Sequence, residues 1–217
     1  MAAVGNGARQ DRERHQVQSS EIYFRRLASL IPQLPFRTID AMASVLLRAL
    51  EEGRTVFVFG NGGSAASASH AVCDLNKGVA FHDHPRRLKV ISLTDNVPMM
   101  TAWANDLGYK HIFSQQLRSY LQPHDVALAV SCSGDSPNVL LGLETARAMG
   151  GTTLGIAGNH GGSMKALCDI CAVVPSDDVR MIEDMHHAVL HALSAAVAEH
   201  AQASAPRMAV AAGSNDR

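Results

Sequence analysis

No apolar run among the 217 residues approaches the roughly 18 that a membrane-spanning helix requires. The opening stretch, MAAVGNGARQDRERHQ, is polar and lacks the apolar centre of a secretory signal, so the sequence predicts a cytoplasmic protein without membrane contact. Charge excess is absent as well. Nineteen basic against twenty acidic side chains leave a net charge of -1, which offers no overall pull toward nucleic acid. The four cysteines are compatible with reduced thiols in such a compartment. Cys168 and Cys171 do form a C-x-x-C, yet no second one exists to complete a zinc knuckle. The pair runs into AVVP, which reads as a strand rather than the helix start that a redox pair prefers, so it reads as packing. There is no internal repeat.

What is present is a core. Hydrophobic residues make up 47% and charged residues 18%, which argues against general disorder. The length favours one domain, here 18–203, with an N-terminal arm at 1–17 and a flexible tail at 204–217. Five short runs rich in Val, Ile and Leu fall at 55–60, 88–94, 125–131, 152–158 and 169–175, continuous enough for strands buried on both faces. Segments of helical spacing separate them, two helices at about 20–31 and 36–52 precede them, and a long helix at about 177–203 follows. The alternation predicts an α/β protein, a parallel sheet covered by helices on both sides.

Ligands of such sheets collect beyond the carboxyl ends of the strands, so the loops there carry the chemistry. Gly60-Asn61-Gly62-Gly63-Ser64 leads directly into a helix; glycines allow a tight turn, and a helix N-terminus offers N–H groups to an anion. Ser131-Cys132-Ser133-Gly134-Asp135-Ser136 again joins strand to helix, with three hydroxyls suited to a phosphate. The competing reading is that Asp135 or Ser136 merely caps the helix. A dinucleotide site is a second rival, since Gly60-x-Gly62-x-x-Ala65 meets the relaxed fingerprint and Asp95 ends the next strand. The serine-rich loop argues against it, because that fold holds its pyrophosphate on the first loop alone.

His70 and Asp74 lie four apart on the helix after the first loop, and Glu183, His187 and His191 form one stripe on the last helix. His-x3-Asp and Glu-x7-His supply nitrogen and oxygen ligands of the kind zinc accepts; the plainer alternative is a polar face of ordinary histidines. His82 and His84 read as a solvated loop, and His160 as part of a turn beside its glycines.

Taken together, FGNGGSAASASH, TDNVPMMTAWANDLGYKHIFSQQL, SCSGDSPNVL, GIAGNHGGSMKALCDI and VP…IEDMHHAVLH resemble the sugar isomerase (SIS) domain, and within it the phosphoheptose isomerases, from about residue 20 to 200. The resemblance implies a three-layer α/β/α sandwich of flavodoxin-like type with a five-stranded parallel sheet and an N-terminal helical pair. It implies a homotetramer with sites at subunit contacts, acting on a small sugar phosphate. The implied reaction is aldose–ketose isomerisation of sedoheptulose 7-phosphate to D-glycero-D-manno-heptose 7-phosphate. Carried over by motif, substrate contacts fall on Asn61, Gly62, Gly63, Ser64, Asp95, Ser131, Cys132, Ser133, Ser136 and Glu183. Catalytic roles fall on Asp74 as base and His191 as proton shuttle, and zinc ligands on His70, Asp74, Glu183 and His191. The chain departs from the family in carrying Asp74 for the usual Glu, Glu183 for Gln and Cys132 for Thr. A non-catalytic SIS protein that binds a partner or senses sugar phosphates is the alternative; the type that regulates replication initiation lacks an acid at the Asp74 position.

Overall fold

The computed structural model describes residues 19–80 and 86–204. The N-terminal arm, the tail beyond Ser204, and His82 and His84 lie outside the described residues. Five strands, β1 (Thr55–Gly60), β2 (Lys89–Ser92), β3 (Val126–Ser131), β4 (Thr152–Gly158) and β5 (Ile170–Val174), form one sheet in the order β2-β1-β3-β4-β5. Every pairing is parallel. All six residues of β3 are buried, as its central place requires, whereas β2 at the edge alternates between exposed and buried. Edge position also explains why β2 is shorter than the apolar run around it.

Helices α1 (Ser20–Leu30) and α2 (Phe36–Glu52) precede the sheet; α3 (Gly63–Ala80), α4 (Val97–Leu107), α5 (Ser114–Tyr120), α6 (Pro137–Ala148) and α7 (Met164–Leu167) alternate with the strands; α8 (Val179–Ser204) follows. Helix α2 buries Ile39, Met42, Ala43, Leu46, Ala49 and Leu50, the stripe of a helix with one face on a core. It ends at Gly53, whose φ of 67° lets its N–H reach back to Ala49 O and Leu50 O. One core joins α2, α3 and α8 to one face of the sheet, around Val56, Leu128 and Ile156. The second joins α5, α6 and α7 to the other, around Phe57, Phe59 and Ala129. The three layers and the parallel five-stranded sheet are those expected from the alternation.

The chain crosses from one side of the sheet to the other between β1 and β3. Adjacent loops there diverge to opposite faces and leave a crevice. That crevice holds the two loops singled out above.

Candidate functional site

A cavity of about 400 Å³ opens beyond the ends of β1 and β3. Asn61, Ser64, Ser131, Cys132, Ser133, Ser136 and Glu183 line it, joined by Asn159 and Asp177. The capping alternative for the serine loop does not hold. Ser136 occupies the N-cap of α6 without a side-chain cap bond. Asp135 turns away to accept the N–H of Ser163 at 2.8 Å, a bond that holds its carboxyl below the usual range. Ser131 Oγ accepts from Gly134 N–H at 3.1 Å, and Ser133 Oγ accepts from Asp135 N–H at 3.2 Å, so the loop is braced by its own hydroxyls. Gly134 has φ 70°, and a Cβ there would stand 2.1 Å from Gly161 O. Only glycine fits both conditions.

Asn61 is fixed by a pair of reciprocal amide bonds. Its Nδ2 donates to Asn138 Oδ1 at 2.9 Å, and Asn138 Nδ2 donates to Asn61 Oδ1 at 2.7 Å. Tyr109 OH adds a bond to Asn61 Oδ1 at 3.1 Å. Neither Asn138 nor Tyr109 stood out in the sequence, because Asn138 acquires its meaning from a partner 77 residues away.

Among the described residues, no lysine or arginine lines the cavity. An anion there would be held by hydroxyls and by the N-termini of α3 and α6, whose first turns contribute Ser64 and Ser136. The carboxylate of Glu183 opposes that pull. It lies against the start of α3, where a Cβ on Gly63 would meet Glu183 Oε1 at 2.6 Å. Burial, reinforced by the charge of Glu183, pushes the Cys132 thiol up and keeps it neutral, although a bond with Ser64 works the other way.

Helices α3 and α8 run side by side in the same direction, and their polar faces match in steps of one turn. Glu183 is level with Gly63. His187 Nδ1 meets Ser67 Oγ at 3.1 Å. At the next level His191 meets His70 and Asp74. Asp74 Oδ2 is 3.1 Å from His70 Nε2 and 3.4 Å from His191 Nε2, and the two imidazole nitrogens are 3.0 Å apart. These three residues are a group with donor atoms close enough to hold one metal ion. Two unprotonated imidazoles cannot aim lone pairs at one another without repulsion; a divalent cation, or a proton, between them and the carboxylate removes it. The donor set of two nitrogens and one oxygen fits zinc.

Glu183, expected as a fourth ligand, is not in this group. It stands eight residues before His191, about 12 Å along a helix, and faces the cavity instead. Asp95, by contrast, does not line the cavity. It accepts hydrogen bonds from Ser69 Oγ and Thr94 Oγ1, which fasten it to α3 next to His70. Gly62, with φ 54°, and Gly63 form the exposed turn into α3. The cavity and the acid–imidazole group are two features of one helix pair. Asp74 itself borders a separate, shallower depression with Lys77, Gly78 and Ser194.

Residues 23–158 match the family model of the SIS domain. A phosphoheptose isomerase of Pelobacter propionicus is 38% identical over 176 residues, 81% of this chain and 90% of that protein. Another, from Rhodospirillum rubrum, is 41% identical over 155 residues, 71% of this chain and 81% of its own length. The solved phosphoheptose isomerase of Neisseria gonorrhoeae superposes with a TM-score of 0.77 at 25% identity, over 83% of this chain and 97% of that one. With a matching sheet, a matching domain model and relatives of one kind along most of its length, the chain belongs to the SIS-domain family and is an isomerase of the phosphoheptose isomerase type.

Proposed function

We propose that this isomerase interconverts the ketose and aldose forms of a phosphorylated sugar, with sedoheptulose 7-phosphate and D-glycero-D-manno-heptose 7-phosphate as the pair. The observation that carries the reading is Asp74. Its carboxylate lies within 3.1 Å and 3.4 Å of two imidazole nitrogens, on the helix whose first turn borders the hydroxyl-lined cavity. From Ser64 to His70 is about 9 Å of helix, so one end of a short chain molecule can rest among the serines while the other reaches toward Asp74.

The phosphate is held by Ser131, Ser133 and Ser136, and that anchoring fixes the reacting carbons. Asp74 removes the proton from C1 of the ketose. His191 carries protons at the neighbouring oxygen and C2, and the enediolate between the two steps is the charge to be stabilised. Zinc held by His70, Asp74 and His191 would supply a Lewis acid for that charge. Asn61 and Ser64, at the turn into α3, contact the sugar. A homotetramer is supported by the apolar side chains that α1 and the helix after β2 leave uncovered, among them Phe24 at 64% and Val97 at 57% exposure.

Exchange of the C1 proton of sedoheptulose 7-phosphate with deuterated solvent, followed by NMR with and without added zinc, tests base, substrate and metal at once. Enzyme-dependent loss of the C1 signal is expected. A C1 proton that stays in place under both conditions, while the sugar phosphate still binds, removes the isomerisation reading and leaves a sensor of sugar phosphates.

A further inference from the structure

Cys168 and Cys171, packed against the core on one face of the sheet, lie close to the same glycine. Cys171 lies on β5 opposite Gly155 of β4, and a Cβ built on Gly155 would stand 2.7 Å from Cys168 Sγ and 3.2 Å from Cys171 Sγ. Both sulfurs therefore occupy the space left by one missing side chain. Both are free thiols, and both residues are partly exposed. Two thiols that converge on one such space are placed to approach the S–S bond length of about 2.05 Å.

We propose that Cys168 and Cys171 form a reversible dithiol–disulfide site for a small disulfide oxidant of the glutathione class. The thiolate of Cys171 attacks one sulfur of the oxidant and expels one glutathione thiolate, which leaves a mixed disulfide. Cys168 then gives up its proton and attacks Cys171 Sγ, expelling the second glutathione. Two protein thiols are oxidised by two electrons, and one glutathione disulfide is reduced to two thiols.

The surroundings suit this order. The Cys171 thiol is held below its ordinary range first by its interaction with the Cys168 thiol and then by the charge of Lys165, although burial resists. The Cys168 thiol is pushed up, chiefly by that same interaction with Cys171 and then by burial. Once Cys171 is capped in the mixed disulfide, it carries no negative charge, and the main cause that holds the proton on Cys168 is gone. The first attacker is thus activated before the encounter and the second only after it.

The site has a path to the phosphate cup, a consequence that rests on the function proposed above. Cys168 closes the four-residue helix α7, its N–H bonded to Met164 O at 3.1 Å. At the other end of α7, Met164 N–H binds Gly134 O at 2.9 Å and Ser163 N–H binds Asp135 at 2.8 Å. A bond that draws Cys168 toward β5 pulls on a helix whose far end braces the serine loop.

The test equilibrates the full-length protein in glutathione buffers from fully reduced to fully oxidised, then traps free thiols by alkylation. Both cysteines fall in one tryptic peptide, Ala166 to Arg180, which holds no other cysteine. As the buffer is oxidised, this peptide should pass from doubly alkylated to unalkylated with the loss of two hydrogens, and dithiothreitol should reverse it. Cys168→Ser should instead stop at a glutathione adduct on Cys171. A peptide that stays doubly alkylated, or that gains two separate glutathiones, overturns the site whether or not the sugar is a substrate. With the disulfide formed, the KM for sedoheptulose 7-phosphate should rise severalfold with little change in kcat. An unchanged KM overturns the coupling to the cup.

Discussion

At the scale of single residues, the two carboxylates on the facing helices stand in different surroundings, and the proposed function gives them different duties that substitution can separate. Asp74→Asn keeps the shape but removes the base of the proposed mechanism. Turnover should fall by about two to four orders of magnitude, with sugar phosphate still bound in calorimetry. Glu183 lines the cavity in which the proposed mechanism seats the phosphate dianion, and two unit charges at 4 Å repel by about 1 kcal/mol even in water. Glu183→Gln, the residue usual in the family, should lower KM by about fivefold; a rise in KM would make the carboxylate a needed contact. Buried His186 gives a third expectation. Among the described residues neither ring nitrogen has a hydrogen-bond partner, and burial pushes its pKa down to about 4, while the backbone at Ala157 pulls the other way without reaching bonding geometry. The folded state therefore takes up fewer protons than the unfolded chain. Stability is whole above pH about 6.5 and declines by up to about 3 kcal/mol as pH falls from there to about 4. Thermal unfolding of His186→Leu across that range should lose this part of the pH slope. Residue types and spacings were legible in the sequence: the stripe of Glu183, His187 and His191 is real. Which level of α3 each one meets was not. Periodicity orders the residues of one helix but carries no information on how two helices align, and that alignment separates Glu183 from the histidines.

At the scale of elements, the strands and helices follow from local pattern almost as read, because continuous apolar runs and the periodic helices between them leave few alternatives. The serine loop was legible as part of a ligand-facing rim, and its hydroxyl-bearing residues do line the cavity. Its brace was not, since Gly134 and Gly161 meet across 27 residues of chain and glycine advertises only conformational freedom. That close approach yields a sharp prediction. Gly134→Ala puts a Cβ 2.1 Å from Gly161 O at φ 70°, so the loop must move. Destabilisation of at least about 2 kcal/mol in denaturant unfolding is expected, with phosphorylated-sugar affinity lost beyond what the folded fraction explains. The paired cysteines follow the same rule. Read along the chain they precede a strand, and only the neighbouring strand's glycine brings their sulfurs together.

At the scale of the whole molecule, two helices lack what a finished monomer would give them. Neither α1 nor α4 has a buried residue, and Ile22, Phe24, Val97 and Leu107 are exposed. Analytical ultracentrifugation should find four chains together, and Phe24→Asp should shift the population to smaller species. A monomer at micromolar concentration would remove the shared-site expectation. Within the subunit, the amide pair between Asn61 and Asn138 links the loop after β1 to the first turn of α6. A guest thus meets two walls already joined rather than two that must be recruited, and little of its affinity is diverted to ordering them. Capture should then depend on diffusion and fit more than on any rearrangement of the host.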